Sequence, residues 1–340
     1  MVYSTTNNDS GTQLLFRQAL FGSLGLAGMF FLTLYDYRNL KKITPWLYLG
    51  MITMLLIVYF FGPVVRGSAR WIDLGFFRMQ PAEFAKLGMV IIMAKFLDTQ
   101  GMKMKNFRYI ILSGVYLAIP MFLILIEPDL GSSLVVFAVW FGMLLFSRIS
   151  KKHLGILILI FAIAAVSAWF FVLHDYQKQR VYTFLDPYSD PQGQGYNVLQ
   201  SIIAVGSGHL LGQGVGRGLQ SQLDFLPERQ TDFIFASTAE ELGFVGSIVL
   251  LGLYFVMFIR IIKTCQSSRD NFGMYLSLGV FIMLLTQVVI NIGMNIGIMP
   301  VTGIPLPLLS LGGSSLITTL LSLGVVQSVV ARQKAVRFAL

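Results

Sequence analysis

The chain has 340 residues, of which 12% are charged and 55% hydrophobic, with 28 Phe, 33 Gly and a mean hydropathy of +0.72. Soluble domains carry about a quarter charged residues, so this composition excludes an ordinary soluble domain and describes a membrane protein. The net charge of +9 would suit nucleic acid only with a basic face and readout chemistry; here the basic residues are scattered over loops between apolar runs, and no nucleic acid partner is expected.

Apolar runs place spans near residues 14–34, 43–62, 80–97, 109–126, 130–147, 154–173, 234–259, 273–298 and 310–330. A span needs about 20 apolar residues at roughly 1.5 Å per residue. The expected fold class is all-α and polytopic, with nine transmembrane helices forming a single domain over residues 1–340. The loops separate by basic content. One set holds Arg38, Lys41 and Lys42; Lys103, Lys105 and Arg108; Arg148, Lys151 and Lys152; Arg260, Lys263 and Arg269; and the tail Arg332, Lys334 and Arg337. By the positive-inside bias these face the cytoplasm. The other set comprises 63–79, the tight turn Glu127-Pro128-Asp129-Leu130, the long 174–233 loop and the Pro-rich 299–309 link, which therefore lie outside. An odd number of spans also puts the N-terminus outside, although residues 1–13 contain no signal peptide; the simplest expectation is that a further N-terminal helix is missing from this sequence. The lone Cys265 has no partner for an internal disulfide and falls in a cytoplasmic loop.

The polar chemistry concentrates on the outer side. In the first outer loop, Arg66, Arg70 and Arg78 accompany Trp71, a set that suits an anionic lipid headgroup or simple interfacial anchoring. Glu83 and Lys86 follow in the first turns of the third span; three residues apart, they share a helical face and can pair, either to serve function at membrane depth or to fix helix packing. The 174–233 loop is far longer than ordinary connections. Within it Val198, Ile202 and Val205 recur at helical spacing, which predicts a short amphipathic helix at the membrane surface or packed inside the loop. The run Gly-Gln-Gly-Val-Gly-Arg-Gly at 212–218 lacks the flanking strand and helix of a nucleotide site and reads as a flexible loop beside a ligand. Glu228, Arg229 and Asp232 then cluster just before the seventh span. Asp232 is placed to cap that helix or to accept a proton from a substrate lying in the membrane, with Glu240 and Glu241 roughly 12–14 Å deeper. Asn291 and Asn295 share one face of the eighth span. After the breaks at Pro300, Pro305 and Pro307, Ser310, Gly312, Gly313, Ser314 and Ser315 open the last span, where free amides can hold an anion.

Taken in order, the stretches RWIDLGFFRMQPAEFAK, EPDLGSSLV, QRVYTFLDPYSDPQGQGYNVLQSIIAVGSG, SQLDFLPERQTDFIFASTAEELGFVG and NIGMNIGIMPVTGIPLPLLSLGGSS resemble the SEDS family (shape, elongation, division and sporulation), and within it the RodA type. The resemblance implies a ten-span peptidoglycan glycosyltransferase that polymerises lipid II, the lipid-linked disaccharide-pentapeptide, outside the bacterial plasma membrane together with a class B penicillin-binding transpeptidase. It implies that Asp232 matches an essential outer aspartate, that Glu83 and Lys86 match paired charges of a central cavity, and that Arg70 and Trp71 fall in a matching element. Two positions depart from the family pattern: Leu311 stands where an aromatic is common, and Gln230 where histidine is frequent.

On this reading Asp232 is the general base toward a sugar hydroxyl, and cations stabilise the pyrophosphate leaving group: Arg66, Arg70, Lys86 or a divalent ion such as magnesium or manganese. Arg66, Arg70, Trp71, Glu83, Lys86, Glu228, Arg229, Asn291, Asn295, Ser310 and Ser314 are the expected substrate-binding residues, and no metal ligands are assigned. The competing classes are a lipid-linked precursor flippase, against which the chain shows no inverted repeat, and a noncatalytic activator of a transpeptidase.

Overall fold

The computed structural model describes residues 8–65, 68–73, 75, 78–147, 149–171, 175–190, 193–223 and 225–334. In chain order its helices are α1 (Asn8–Leu34), α2 (Tyr37–Phe61), α3 (Pro81–Gln100), α4 (Phe107–Ile126), α5 (Leu130–Leu145), α6 (Lys151–Phe171), α7 (Asp175–Leu185), α8 (Gln194–Ser207), α9 (Leu219–Gln222), α10 (Ile234–Gln266), α11 (Asn271–Asn295) and α12 (Gly313–Lys334). A helix occupies each of the expected spans. Among the described residues, seven helices are long and apolar enough to cross a membrane. The other two expected spans differ: α3 carries Glu83, Lys86, Lys95 and Asp98, and α5 has only 16 residues. The protein is a multi-pass helical membrane protein.

Proximity along the backbone divides the chain into two units, one of residues 1–16, 151–255 and 287–311, the other of 17–150, 256–286 and 312–340. In the second unit α3 is buried on nearly every side, packed by α2, α4, α5 and α12. That enclosure is what allows a helix with four charges at this position, because lipid-exposed charges would be costly. Pro81 sits at its first turn, where a missing N–H costs nothing. One end of this unit collects the basic side chains that the loop charges assign to the cytoplasm. Arg38 pairs with Asp270 at 3.2 Å, Arg332 with Asp36 at 3.4 Å, and Lys41 with Asp98. These contacts bring the starts of α2 and α11 together with the ends of α3 and α12, as the alternating topology requires. The 63–79 loop folds into two small antiparallel pairs, β1 (Val64–Val65) with β2 (Ser68–Ala69) and β3 (Ile72–Asp73) with β4 (Arg78–Met79). Arg78 bonds Asp73 across the second pair at 3.2 Å. Cys265 lies in the last turn of α10 instead of a loop, its thiol directed at the Met274 carbonyl at 3.4 Å.

In the first unit, Ala204, Leu226, Phe233 and Ala236 form a core against which Val205 and Val301 pack. The buried face of α8 runs through Val198, Ser201 and Ala204, whereas Ile202 is 40% exposed. Of the stripe seen in the sequence, Val198 and Val205 lie on the packed side and Ile202 turns outward. Ser201 decides it: its hydroxyl donates to the Asn295 carbonyl at 2.8 Å and turns that side inward.

The largest departure from expectation is in α10. At Gly243 the backbone takes φ 66° and ψ −165° and the helix breaks. The glycine-rich segment fills the break by a two-way exchange. Gln213 and Gly214 N–H groups donate to the freed Glu240 and Glu241 carbonyls at 3.0 Å each. The Phe244 and Val245 N–H groups donate back to His209 and Leu210 at 2.9 and 3.1 Å. A Cβ at Gly212 would lie 2.2 Å from the Glu241 oxygen, and one at Gly208 2.0 Å from the Ala239 oxygen. Glycine is needed there for close backbone approach, so the start of the run expected to be flexible is bonded to α10.

Candidate active site

The turn leading into α10 holds Asp232. Pro227 precedes Glu228, whose φ of 52° places it in the left-handed region. This curls the chain so that the Glu228 carbonyl accepts from Thr231, Asp232 and Phe233 N–H at 3.1, 3.1 and 3.2 Å. The Thr231 hydroxyl adds a bond to the Glu228 carboxylate at 3.1 Å. Leu226 and Phe233, at 1% and 3% exposure, pin the turn at both ends, and Asp232 between them is half-buried. Glu228 is exposed, and Arg229 is buried with its carbonyl facing the Ser237 hydroxyl at 3.5 Å.

Three side chains hold this turn by its main chain. Asn291 Nδ2 donates to the Asp232 carbonyl at 2.9 Å and to the Ile304 carbonyl at 2.8 Å. Asn295 Nδ2 donates to the Asp232 carbonyl at 3.1 Å and to the Asn291 carbonyl at 2.8 Å, while its Oδ1 accepts from Ala236 N–H at 3.0 Å. Ser310 Oγ donates to the Thr231 carbonyl at 2.6 Å and accepts from Leu306 N–H at 2.8 Å. Both asparagines are fully buried and Ser310 is nearly so. These residues, expected to touch substrate, are placed to position the Asp232 turn. The asparagines share one helical face, as their spacing predicts, and that face meets backbone. Leu311 N–H donates to the Gln230 carbonyl at 2.8 Å, so a main-chain bond joins the two positions that depart from the family pattern. The Asp232 carboxylate itself faces a turn at Gly303 (φ 73°), where an added Cβ would stand 3.4 Å from Oδ2. Deeper in the same unit, Glu240 and Glu241 are buried; Glu240 Oε1 accepts from Gln220 N–H at 2.7 Å.

The remaining expected residues belong to the second unit, apart from Arg66, which lies outside the described residues. Lys86 Nζ and Glu83 Oε1 form an ion pair at 2.7 Å, with both residues buried. Arg70 Nε donates to the Glu127 carbonyl at 3.0 Å, and its Nη2 donates to that of Pro128, so the guanidinium is anchored on the turn between α4 and α5. Trp71 is half-buried. Ser314 Oγ accepts from Gln80 N–H at 3.0 Å and joins the start of α12 to the start of α3. Sequence reasoning missed Glu127. Both its carboxylate oxygens are buried without a hydrogen-bond partner among the described residues. Burial, then the nearby Asp129, push its carboxyl up to about 8 against the opposing pull of Arg70. Asp129 beside it caps α5 through Ser132 N–H at 2.9 Å and accepts from Gln80 Nε2 at 2.9 Å. The available signal was an acid in a tight turn between two apolar runs.

Comparison with known proteins completes the picture. A family profile described as cell cycle protein, covering FtsW, RodA and SpoVE, matches residues 1–335. The peptidoglycan glycosyltransferase MrdB of Escherichia coli (strain K12) is 39% identical over 336 residues, covering 98% of this chain and 90% of its own. A solved structure described as a peptidoglycan synthase complex coordinating polymerization and crosslinking superposes with a TM-score of 0.80 at 36% identity, over 94% of this chain and 90% of its own. The rod shape determining protein RodA of Thermus thermophilus gives a TM-score of 0.71 at 30% identity, over 97% of this chain and 90% of its own. With a profile match along nearly its whole length and the Asp232 turn built as described, the chain belongs to the FtsW/RodA/SpoVE family.

Proposed function

We infer that this chain is a peptidoglycan glycosyltransferase of the RodA type, acting in cell-shape maintenance. Its substrate on this reading is lipid II, as both donor and acceptor, at the outer face of the bacterial plasma membrane. Its partner is a class B penicillin-binding transpeptidase, in keeping with the polymerising and crosslinking complex to which it is similar. The observation that carries the reading is the Asp232 turn: a half-buried carboxylate at the mouth of an apolar helix, its main chain held by Asn291, Asn295 and Ser310.

The chemistry follows from that placement. A sugar hydroxyl is a poor nucleophile at neutral pH. A carboxylate within hydrogen-bond reach takes its proton as the oxygen bonds to the donor's anomeric carbon. The anomeric carbon–oxygen bond to the lipid pyrophosphate breaks, and the pyrophosphate leaves with the electron pair, needing charge stabilisation and no general acid. In-line displacement inverts the anomeric centre. Among the described residues no three His, Cys, Asp or Glu side chains gather as a metal site. A magnesium or manganese ion would fit only as one carried by the substrate phosphates with one or two protein carboxylates.

The test uses the purified chain with its partner transpeptidase, lipid II and magnesium, with products resolved by length. Wild type should yield glycan polymer and Asp232→Asn should yield none while still binding the partner. Polymer from the variant at the wild-type rate would remove Asp232 as the base. No polymer from wild type would favour a flippase or an activator.

A further inference from the structure

A cavity of about 250 Å³ opens in the first unit between α7, α8 and the 299–301 segment. Arg180, Thr183 and Phe184 line it from α7, and Asn197 and Val198 from α8. Its volume falls just below the roughly 300 Å³ at which drug-sized ligand pockets begin, so it suits a branch of a molecule better than a whole sugar chain. The lining combines a guanidinium, a hydroxyl and an amide with apolar walls. Thr183 is the informative residue: it is 3% exposed, and its Oγ1 has no hydrogen-bond partner among the described residues. A buried hydroxyl left unpaired costs free energy, and a ligand that accepts from it or donates to it would remove that cost.

The cavity adjoins the Asp232 turn. Val301 forms part of its wall and also packs on the core of Leu226 and Phe233 that anchors the turn. Val301 is two residues from Gly303, whose turn faces the Asp232 carboxylate, a separation of at most about 7 Å along the chain. A substrate with its reacting hydroxyl at Asp232 could therefore send a side branch into the cavity.

We propose that this cavity binds the carboxylate-bearing peptide branch of the sugar substrate, with Arg180 meeting a peptide carboxylate, Thr183 and Asn197 bonding the peptide main chain, and Phe184, Val198 and Val301 packing its aliphatic parts. The proposal rests on the glycosyltransferase reading above and adds a specificity element to it. It assigns the 174–233 loop the task of reading the branch that the reaction itself does not alter.

The experiment measures dissociation constants of the full chain in nanodiscs for two probes, the lipid-linked disaccharide-pentapeptide and the same lipid-linked disaccharide without its peptide. Wild type should bind the peptide-bearing probe at least about five-fold more tightly, the worth of one or two net hydrogen bonds. Thr183→Val, which fills the same space without a hydroxyl, and Arg180→Gln should each reduce that preference and leave affinity for the peptide-free probe unchanged. Thr183→Val should also melt no lower than wild type, because the hydroxyl it removes has no partner among the described residues. Equal binding of the two probes by wild type, binding of neither, or variants that weaken both alike would overturn the proposal. Polymerisation is assayed separately: its absence in wild type would sink the glycosyltransferase reading, while the binding comparison would still decide the cavity.

Discussion

Replacing Asn295 with alanine isolates what holds the candidate base. The side chain is fully buried and makes three close contacts, to Ala236 N–H at 3.0 Å and to the Asp232 and Asn291 carbonyls at 3.1 and 2.8 Å. The net strength of such bonds in membrane proteins averages only about 0.6 kcal/mol, so their loss alone would be minor. The larger cost is the stranded group. Ala236 N–H, in the first turn of α10, is left buried without its acceptor, at about 1–3 kcal/mol. The Asp232 carbonyl keeps Asn291, so the turn loosens without unfolding. The sum is about 2–4 kcal/mol, which should lower the melting temperature of the detergent-solubilised protein by several degrees. A misplacement of the base by about 1 Å costs on the order of a hundred-fold in rate; kcat for polymerisation should therefore fall about ten- to a hundred-fold, with KM nearly unchanged because the asparagine amide is engaged by main-chain partners. A variant that melts with wild type and retains its kcat would show that these contacts do not position Asp232. A rise in KM with kcat intact would instead restore the direct substrate contact that the sequence suggests.

Two further predictions concern the second unit. Lys86→Met leaves the Glu83 carboxylate buried without its ion-pair partner and should destabilise the protein by about 3–5 kcal/mol, whereas Glu83→Leu combined with Lys86→Met should recover the melting temperature; polymerisation by the stable double variant would assign the pair to packing, and its loss would assign it to function. Glu127 carries its proton to about pH 8 in the folded chain, against an ordinary value of 4.5. The folded state therefore binds more protons in that window, and the stability of the neutral acid is whole below about pH 4.5 and lost as pH rises through about 8. Glu127→Gln should flatten the fall in melting temperature between about pH 5 and pH 8; an unchanged slope would show that another group titrates.

Much of this architecture is written locally. Apolar runs mark every long helix because each must satisfy its own backbone in lipid. The cluster at Glu228, Arg229 and Asp232 is legible because charges are rare at the edge of an apolar run. What the sequence hides depends on partners distant along the chain. The stretch around Gly243 reads as one continuous helix, since the groups that complete its break sit about 30 residues earlier, at His209–Gly214. Asn291 and Asn295 advertise a polar face, yet only the tertiary structure shows that the face meets main-chain carbonyls. Glu127 looks like an ordinary turn acid until its neighbours close over it, and on α8 Ile202 turns outward because Ser201 beside it finds the buried acceptor.

The break in α10 bears on how the chain is made. A helix interrupted in hydrocarbon exposes carbonyl and amide groups at several kcal/mol each, and the segment that satisfies them, 209–214, precedes α10 in the chain. During synthesis that segment leaves the ribosome first, so it is already available when the span that needs it begins to partition. Moving the glycine-rich run to the C-terminal side of α10, as a circular permutation would, reverses that sequence and makes the span enter lipid with its backbone open. The order of these two stretches along the chain is thus an assembly instruction, with the seal made before the gap it closes.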